Sequence, residues 1–126
     1  MNKKYFTEKE LACHCCGVAK MDGEFMEQLE AMREVLDFPF VISSGYRCPK
    51  HNQNISTTGS DGPHTLGRAV DIVISGEKAF ELIVAADTWG MTGIGVSQKG
   101  EMNKRFIHLD NLQKREGYPR PWVWSY

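Results

Sequence analysis

Apolar residues between positions 23 and 36 recur with the period of an amphipathic helix. Four of them lie at intervals of four, three and four residues and so share one face: Phe25, Leu29, Met32 and Leu36. Asp22 is a good N-cap residue for this helix, and Pro39 is a residue through which helices rarely extend. We therefore predict a helix that begins after Asp22, ends before Pro39 and packs its stripe into the core.

Capping residues indicate two further helical segments. The segment 7–10, Thr-Glu-Lys-Glu, has the form of a capping box and predicts a short helical turn. Ser75 is placed to cap a second main helix, in which four apolar residues face inward: Ala79, Leu82, Ile83 and Ala86.

Short apolar runs predict the strands. We expect a buried strand at 40–42 and a central strand at 69–74, where an acid interrupts the run. Three later strands are expected at 93–96, 105–109 and 121–124. The polar, glycine-rich stretch 52–63 predicts an exposed loop. Two main helices with these strands indicate an α+β fold with a small, mostly antiparallel sheet.

Composition and charge narrow the classes of function. The chain has 126 residues, 41% of them hydrophobic and 25% charged, which suits a single domain over 1–126. A net charge of −1 gives no basic footprint for nucleic acid, and no apolar run reaches the ~18 residues of a membrane span. The N-terminal residues lack the apolar segment of a signal peptide, so we expect synthesis in a cytoplasm. We also expect a monomer.

An acid inside an apolar strand is the first sign of chemistry. Asp71 lies within 69–74, where an unpaired carboxylate would cost several kcal/mol, so a metal, an arginine or backbone donors must compensate it. His64 precedes it by seven residues, and His108 lies in another apolar run. Two histidines and one carboxylate are a ligand set of catalytic zinc sites. On spacing alone, ordinary buried histidines and a turn-capping aspartate remain the alternative.

Several motifs in order resemble the M15 peptidase family. They are Ser44-Gly45-Tyr46-Arg47-Cys48-Pro49, His51-Asn52, His64-Thr65-Leu66-Gly67-Arg68-Ala69-Val70-Asp71-Ile72, Gly93-Ile94-Gly95 and Phe106-Ile107-His108-Leu109-Asp110. The family comprises zinc D-Ala-D-Ala carboxypeptidases and L,D- or D,D-endopeptidases, related in fold to the hedgehog signalling domain. The chain is most similar to the small, often phage-encoded members, and the resemblance runs from about Phe6 to the C-terminus.

The resemblance implies roles for particular residues. It makes three of them zinc ligands: His64, Asp71 and His108. It implies that Arg47 binds a substrate carboxylate or the carbonyl under attack, which suits a guanidinium fork. The alternative for Arg47 is a surface ion pair. Ser44 and Tyr46 would help line the cleft, or they serve only as turn residues.

The general base is the least defined part of the site. Several relatives have an acid three residues before the last histidine, where this chain has Arg105. Asp110, two residues after His108, would project from the same strand face, whereas Glu101 lies in the preceding loop. Either could be the base. Asp110 could instead orient a ligand histidine, and Glu101 could be loop surface. Gly62 also departs from the family, where many relatives have serine.

Four cysteines leave three interpretations open. The arm 1–22 contains Cys13, Cys15 and Cys16, while Cys48 and His51 form a C-x-x-H pair further along. Together they could hold a structural metal that ties the arm to the segment before Cys48. A disulfide from Cys48 to one of the other three, or free thiols, are the alternatives.

Aromatic residues alternate near the C-terminus. Trp122, Trp124 and Tyr126 would share one face of a terminal strand. They could form a stacking platform for sugar rings, or they could pack as part of the core and its edge.

The sequence therefore predicts a zinc peptidase that cuts the peptide stems of bacterial peptidoglycan. A protein of this size without a signal peptide resembles phage or prophage lysis proteins, which act on the cell wall with outside help. Two alternatives remain: an inactive, zinc-stabilised module that binds wall peptides or belongs to a phage structure, and a cytoplasmic dipeptidase.

Overall fold

A computed structural model describes residues 5–126, so the first four residues of the arm 1–22 lie outside the described part. The helices are α1 (Glu8–Leu11), α2 (Gly23–Leu36), α3 (Pro49–Ile55) and α4 (Gly76–Thr88). The strands are β1 (Val41–Ser44), β2 (Ala69–Val73), β3 (Gly93–Ser97), β4 (Phe106–Asp110) and β5 (Trp122–Ser125), with a 3-10 turn at Met102–Lys104.

The five strands form one sheet in the order β1-β2-β4-β3-β5. The pairings of β1 with β2, β2 with β4 and β4 with β3 are antiparallel, whereas β5 lies parallel to β3. The fold is therefore α+β with a mixed sheet. In it, β2 and β4 lie next to each other and each has a neighbour on its other side.

The capping and stripe predictions for α2 are largely confirmed. The Asp22 carboxylate accepts a hydrogen bond from the Phe25 backbone N–H at 3.0 Å. Phe25, Leu29 and Met32 are fully buried, while Leu36 is only partly buried at the helix end. Thr7 likewise caps α1, as the capping box predicts. Ser75 is the N-cap residue of α4, but its side chain forms no capping hydrogen bond.

The two faces of the central strands differ in chemistry. Val70 and Ile72 of β2 and Ile107 and Leu109 of β4 enter the core with α2 and α4. Because side chains alternate along a strand, the residues between them point to the opposite face. The sheet thus separates an apolar core from a second face, and that face contains the acid of β2.

Two sequence predictions differ from the structure. The strand expected at 40–42 begins at Val41 and lies at the sheet edge, so Val41 is 58% exposed and only Phe40, just before the strand, is buried. The stretch 52–63 begins inside α3, because Cys48 caps a helix with Pro49 in its first turn. In the described part of the chain, none of the helices has the length and apolar character needed to cross a membrane.

Candidate metal centre

The register of β2 and β4 brings two predicted ligands together. Asp71 pairs directly with His108 across the two strands, and the His108 Nδ1 atom lies 3.1 Å from Asp71 Oδ1. His64, in the turn before β2, places its Nε2 atom 3.3 Å from the same oxygen. In a tetrahedral metal site with bonds of about 2.0–2.1 Å, neighbouring ligand atoms lie roughly 3.3 Å apart. The three residues therefore have the spacing needed to hold a metal ion.

The other nitrogen of each ring fixes its orientation. His64 Nδ1 lies 2.7 Å from the Gly45 carbonyl oxygen, which can only accept, so this nitrogen donates and Nε2 keeps its lone pair. His108 Nε2 lies 2.7 Å from Asp110 Oδ2 and donates to that carboxylate. Both rings thus turn a nitrogen towards Asp71 Oδ1. Such a convergence requires a proton or a cation to be stable.

The pKa values show the same requirement. Burial lowers the pKa of His64, although Asp71 opposes this effect. Burial also acts to lower the pKa of His108, but hydrogen bonds to Asp110 and Asp71 outweigh it and raise that pKa to about 9. Burial tends to raise the pKa of Asp71, yet the two histidines hold it below its usual value. In the absence of a metal, a proton on His108 balances the charge.

Asp110 is fully buried, and both of its carboxylate oxygens accept hydrogen bonds. Arg120 donates to it through two nitrogens, with Nε 3.0 Å from Oδ1 and Nη2 2.9 Å from Oδ2, and the Leu112 backbone N–H donates to Oδ1. Burial tends to raise the pKa of Asp110, but His108 and Arg120 lower it. A Cβ atom at Gly93 on the neighbouring strand would overlap this carboxylate. Asp110 therefore fixes the orientation of the His108 ring through Nε2, the nitrogen that does not face Asp71.

Arg47 connects the candidate ligands to the turn after β1. Its Nε donates to Ser44 Oγ at 3.0 Å, one terminal nitrogen donates to Asn52 Oδ1 at 3.2 Å, and the other donates to Asp71 Oδ2 at 3.0 Å. The Arg47 side chain is 13% exposed, so this is a mostly buried ion pair rather than a surface one. It leaves Asp71 Oδ1 facing the two histidines.

A cleft with aromatic walls opens next to His108. The ring of Trp124 lies against His108 with centroids 5.0 Å apart, and a Cβ atom at Gly95 would overlap the Trp124 ring. Tyr126 packs on Phe106 at 5.0 Å. The cleft is also lined by Ser56, Thr57, Thr58, Pro63, Tyr118, Pro119, Arg120 and Trp122. Trp124 therefore packs on the site, whereas Trp122 is 54% exposed at the cleft wall.

Within residues 5–126, four further residues considered from the sequence form their hydrogen bonds outside the cluster of His64, Asp71 and His108, or form none with it. Tyr46 is buried, and its backbone N–H donates to the Leu11 carbonyl oxygen. Glu101 is exposed at the start of the 3-10 turn, and among the described residues its carboxylate forms no hydrogen bond or ion pair with the cluster. Arg105, where relatives have an acid, donates to the Gly100 carbonyl oxygen. Gly62 closes a turn with Thr65.

The cysteines form a second group on the other side of the Arg47 turn. The sulfur atoms of Cys13, Cys16 and Cys48 lie within 4.8 Å of one another. Cys13 is buried, Cys16 is exposed and Cys48 is intermediate, and all are free thiols in this structure. His51 contacts the group through its backbone N–H, which donates to Cys48 Sγ at 3.4 Å.

Sequence reasoning missed two residues of the site. Arg120 was not considered, although a buried acid such as Asp110 requires a cationic partner, and an arginine ten residues later was a candidate. Asn52 belongs to one of the motifs of the resemblance and to the stretch predicted as a loop, but neither gives it a role. It is buried in α3, where it accepts from Arg47 and donates to Thr58 and Gly59.

Comparison with known proteins agrees with the geometry. The sequence profile of the peptidase M15 family matches residues 4–110, a range that includes all three candidate ligands and ends at Asp110. A search of curated proteins gives no match. The matched range covers most of the 126 residues, and the chain belongs to the peptidase M15 family.

Proposed function

We propose that this protein is a zinc peptidase that hydrolyses amide bonds in the peptide stems of peptidoglycan. The convergence of His64, Asp71 and His108 at the edge of an open cleft is the observation that carries the proposal. The family membership supports a metallopeptidase. The substrate is proposed from the resemblance to cell-wall peptidases.

Zinc fits the donor set better than the hard cations do. Two imidazole nitrogens and one carboxylate are ligands typical of catalytic zinc, whereas calcium and magnesium prefer oxygen atoms alone. When bound, zinc polarises an amide carbonyl and activates a water for attack near neutral pH. The protein's own part is to hold three ligand atoms on one side and leave the cleft side open.

Arg47 has two functions in this proposal. It holds Asp71 through Oδ2, which leaves Oδ1 for the metal. Three of the five guanidinium N–H groups are used by Ser44, Asn52 and Asp71. The side chain also lines a cavity beside the cluster together with Ser56, Thr57 and Tyr126. The remaining N–H groups are therefore near enough to bind a substrate carbonyl or carboxylate oxygen.

Asp110 orients His108 in this proposal and does not accept the proton of the attacking water. Its two oxygens bind His108 Nε2 and Arg120, on the side of the ring away from the candidate metal ligands. Carboxylate partners of this kind fix the tautomer of a metal-binding histidine. Of the two predicted acids, Glu101 then remains to be tested as the base, and loop movement would be needed to bring it to the cleft.

An inactive binding module is the second candidate. The replacement of the family's acid by Arg105 and the complete engagement of Asp110 favour it, because both remove an obvious proton acceptor. In either case we propose that the protein works at the cell wall as a phage or prophage product. A monomer suffices, since the three ligands come from one chain.

One assay separates these functions. Pure zinc-loaded protein is incubated with purified murein, and the soluble fragments are identified by mass spectrometry. We expect stem-peptide fragments from the wild type and none from His108→Ala. Murein binding without any fragments would favour the binding module. Hydrolysis of free dipeptides with intact murein would favour the cytoplasmic dipeptidase.

A further inference from the structure

A tight turn is formed by the segment Cys13-His14-Cys15-Cys16-Gly17, in which Cys13 and Cys16 are three residues apart. The Gly17 backbone N–H donates to the Cys13 carbonyl oxygen at 2.8 Å, and the Cys13 N–H donates to the Val18 carbonyl oxygen at 2.8 Å. Gly17 has a φ of +75°, a left-handed conformation that glycine adopts without strain. The C-x-x-C-G sequence thus folds into a knuckle that presents two sulfur atoms on one side.

Backbone N–H groups donate to the sulfur atoms of Cys13 and Cys48. The Cys48 N–H lies 3.3 Å from Cys13 Sγ, and the His51 N–H lies 3.4 Å from Cys48 Sγ. Burial raises the pKa of Cys13, but hydrogen bonds from the backbone of Cys48, Cys16 and Cys15 outweigh it and lower that pKa to about 7. Donors aimed at sulfur favour the thiolate, which is the form that binds a metal.

We propose that Cys13, Cys16 and Cys48 hold a structural zinc ion, with Cys15 as the fourth ligand. Three sulfur atoms already lie within 4.8 Å of one another, although they come from two segments more than thirty residues apart. Thiolates are soft ligands that select zinc over hard cations, and structural zinc sites are closed by four protein ligands. This site is separate from the histidine cluster and does not rest on the proposed peptidase function.

Cys15 is chosen as the fourth ligand because it is the remaining thiol of the chain and lies in the same turn as Cys13 and Cys16. Thiolates held close together repel one another, and a divalent cation between them removes that repulsion. Cys15 is exposed and can turn towards the other three sulfur atoms.

The site would fix the turn that carries Arg47. Cys48 follows Arg47 directly, and the arm already contacts this turn where the Tyr46 N–H donates to the Leu11 carbonyl oxygen at 2.9 Å. A Cβ atom at Gly45 would overlap the Leu11 backbone. A zinc ion joining Cys13 and Cys16 to Cys48 would hold the arm against the turn at a second point. Arg47, which binds Asp71, would be positioned by it.

Metal content and cobalt spectroscopy test the site. Wild type, Cys16→Ser, His108→Ala and His14→Ala are purified with zinc, and the metal per chain is measured. We expect two zinc ions in wild type and His14→Ala, but one in each of the other two variants. His14→Ala is the matched control, because it changes the same turn without removing a sulfur atom. Circular dichroism checks that each variant is folded.

Cobalt substitution reports the type of ligand directly, beginning with the wild type. Wild type titrated with Co²⁺ should develop the strong near-ultraviolet charge-transfer band of thiolate ligands, and His108→Ala should keep this band. Cys15→Ser should bind the second ion at least about 10-fold more weakly than wild type. Chelation should lower the Tm of His108→Ala by about 5 °C or more, as loss of a structural ion predicts.

Three results would overturn the proposal. One is a wild type that binds only one zinc, removable by His108→Ala. Another is a cobalt-loaded wild type without a thiolate band. The third is a non-reduced protein purified from a reducing cytoplasm whose mass is lower by two hydrogen atoms, which would show a disulfide among the four cysteines instead.

Discussion

Two members of the histidine cluster (His64, Asp71 and His108) lie on paired strands, whereas the cysteine cluster (Cys13, Cys16 and Cys48) lies in two loops. In the first, strand register sets the distance between two ligands, and each ring is held by a second partner. In the second, backbone N–H groups point at sulfur atoms, and two of the three residues are not buried. We therefore expect the first cluster to keep its shape without a metal and the second to depend on one.

This difference suggests a division of function. A site held by strands and buried partners is preorganised, which suits a centre that must bind substrate and act on it. A site between loops contributes by joining segments, as structural zinc sites do.

Loss of a histidine ligand should abolish activity, whereas loss of a cysteine should weaken it. We expect His108→Ala to lower the rate of murein cleavage by at least roughly 100- to 1000-fold. That is the loss in rate when an enzyme loses one hydrogen-bond donor that stabilises charge in the transition state. Cys16→Ser should keep measurable cleavage at low temperature. Fragment release followed by mass spectrometry gives both rates. Equal losses in the two variants would contradict the division of function.

Arg47 belongs to both regions, because it binds Asp71 and precedes Cys48. Arg47→Ala should lower kcat/KM roughly 30- to 1000-fold, as expected for a charged hydrogen bond made in the transition state. Arg47→Lys keeps the charge but loses the fork, so it should fall between wild type and Arg47→Ala. Initial rates of stem-peptide hydrolysis measure both. Unchanged rates in Arg47→Ala, with a lower Tm, would limit Arg47 to holding Asp71.

Short-range patterns predicted more of this molecule than contacts between distant residues did. The cap at Asp22 and the apolar stripe of α2 depend on neighbours in sequence, and both are confirmed. Three of the four inward positions predicted for α4 are buried and the fourth, Ile83, is partly buried against the core, while the central place of β2 is confirmed. The edge position of β1 depends on which strand it pairs with, and a local pattern does not contain that information.

The same limit applies to the candidate site. Spacing and resemblance indicated His64, Asp71 and His108, which the structure brings together. Arg120 was missed because its pairing with Asp110 depends on how the last loop folds back. The helix α3 was missed because its residues are polar, and its cap is a cysteine rather than a common capping residue. The likeness to the hedgehog domain stays a prediction.

Asp110→Asn tests whether this acid orients His108 or acts as the base. An orienting role predicts metal affinity about 10- to 100-fold weaker and near-normal turnover at saturating zinc. Competition with a chromophoric chelator measures the affinity. If Asp110 is the base, the Asp110→Asn variant should instead have normal metal affinity and at least about 100-fold slower turnover. Glu101→Gln is the matched substitution in the other acid, and only one of the two variants should lose the acidic limb of the pH–rate profile.

The two clusters should respond to pH in opposite directions when the metal is removed. The pKa of His108 is raised from 6.5 to about 9, so its stabilising effect is complete below pH 6.5 and is lost as pH rises through 9. The pKa of Cys13 is lowered from 9.0 to about 7, so its effect is present above pH 9 and is lost as pH falls through 7. As pH rises from 7 to 9, the stabilisation from His108 therefore falls while the stabilisation from Cys13 rises.

Single substitutions should therefore separate the two slopes. Metal-free His108→Gln should become more stable relative to wild type as pH rises from 7 to 9, and metal-free Cys13→Ser should become less stable relative to it. Thermal melts across this range should show differences of a few degrees, about the size that 1 kcal/mol produces in a domain of this length. Zinc should abolish the His108 trend, because the ion replaces the proton on that ring. The Cys13 trend should persist with zinc, because the bound thiolate takes up a proton only when the chain unfolds. Parallel slopes for wild type and both variants would mean that neither cluster holds or releases a proton on folding.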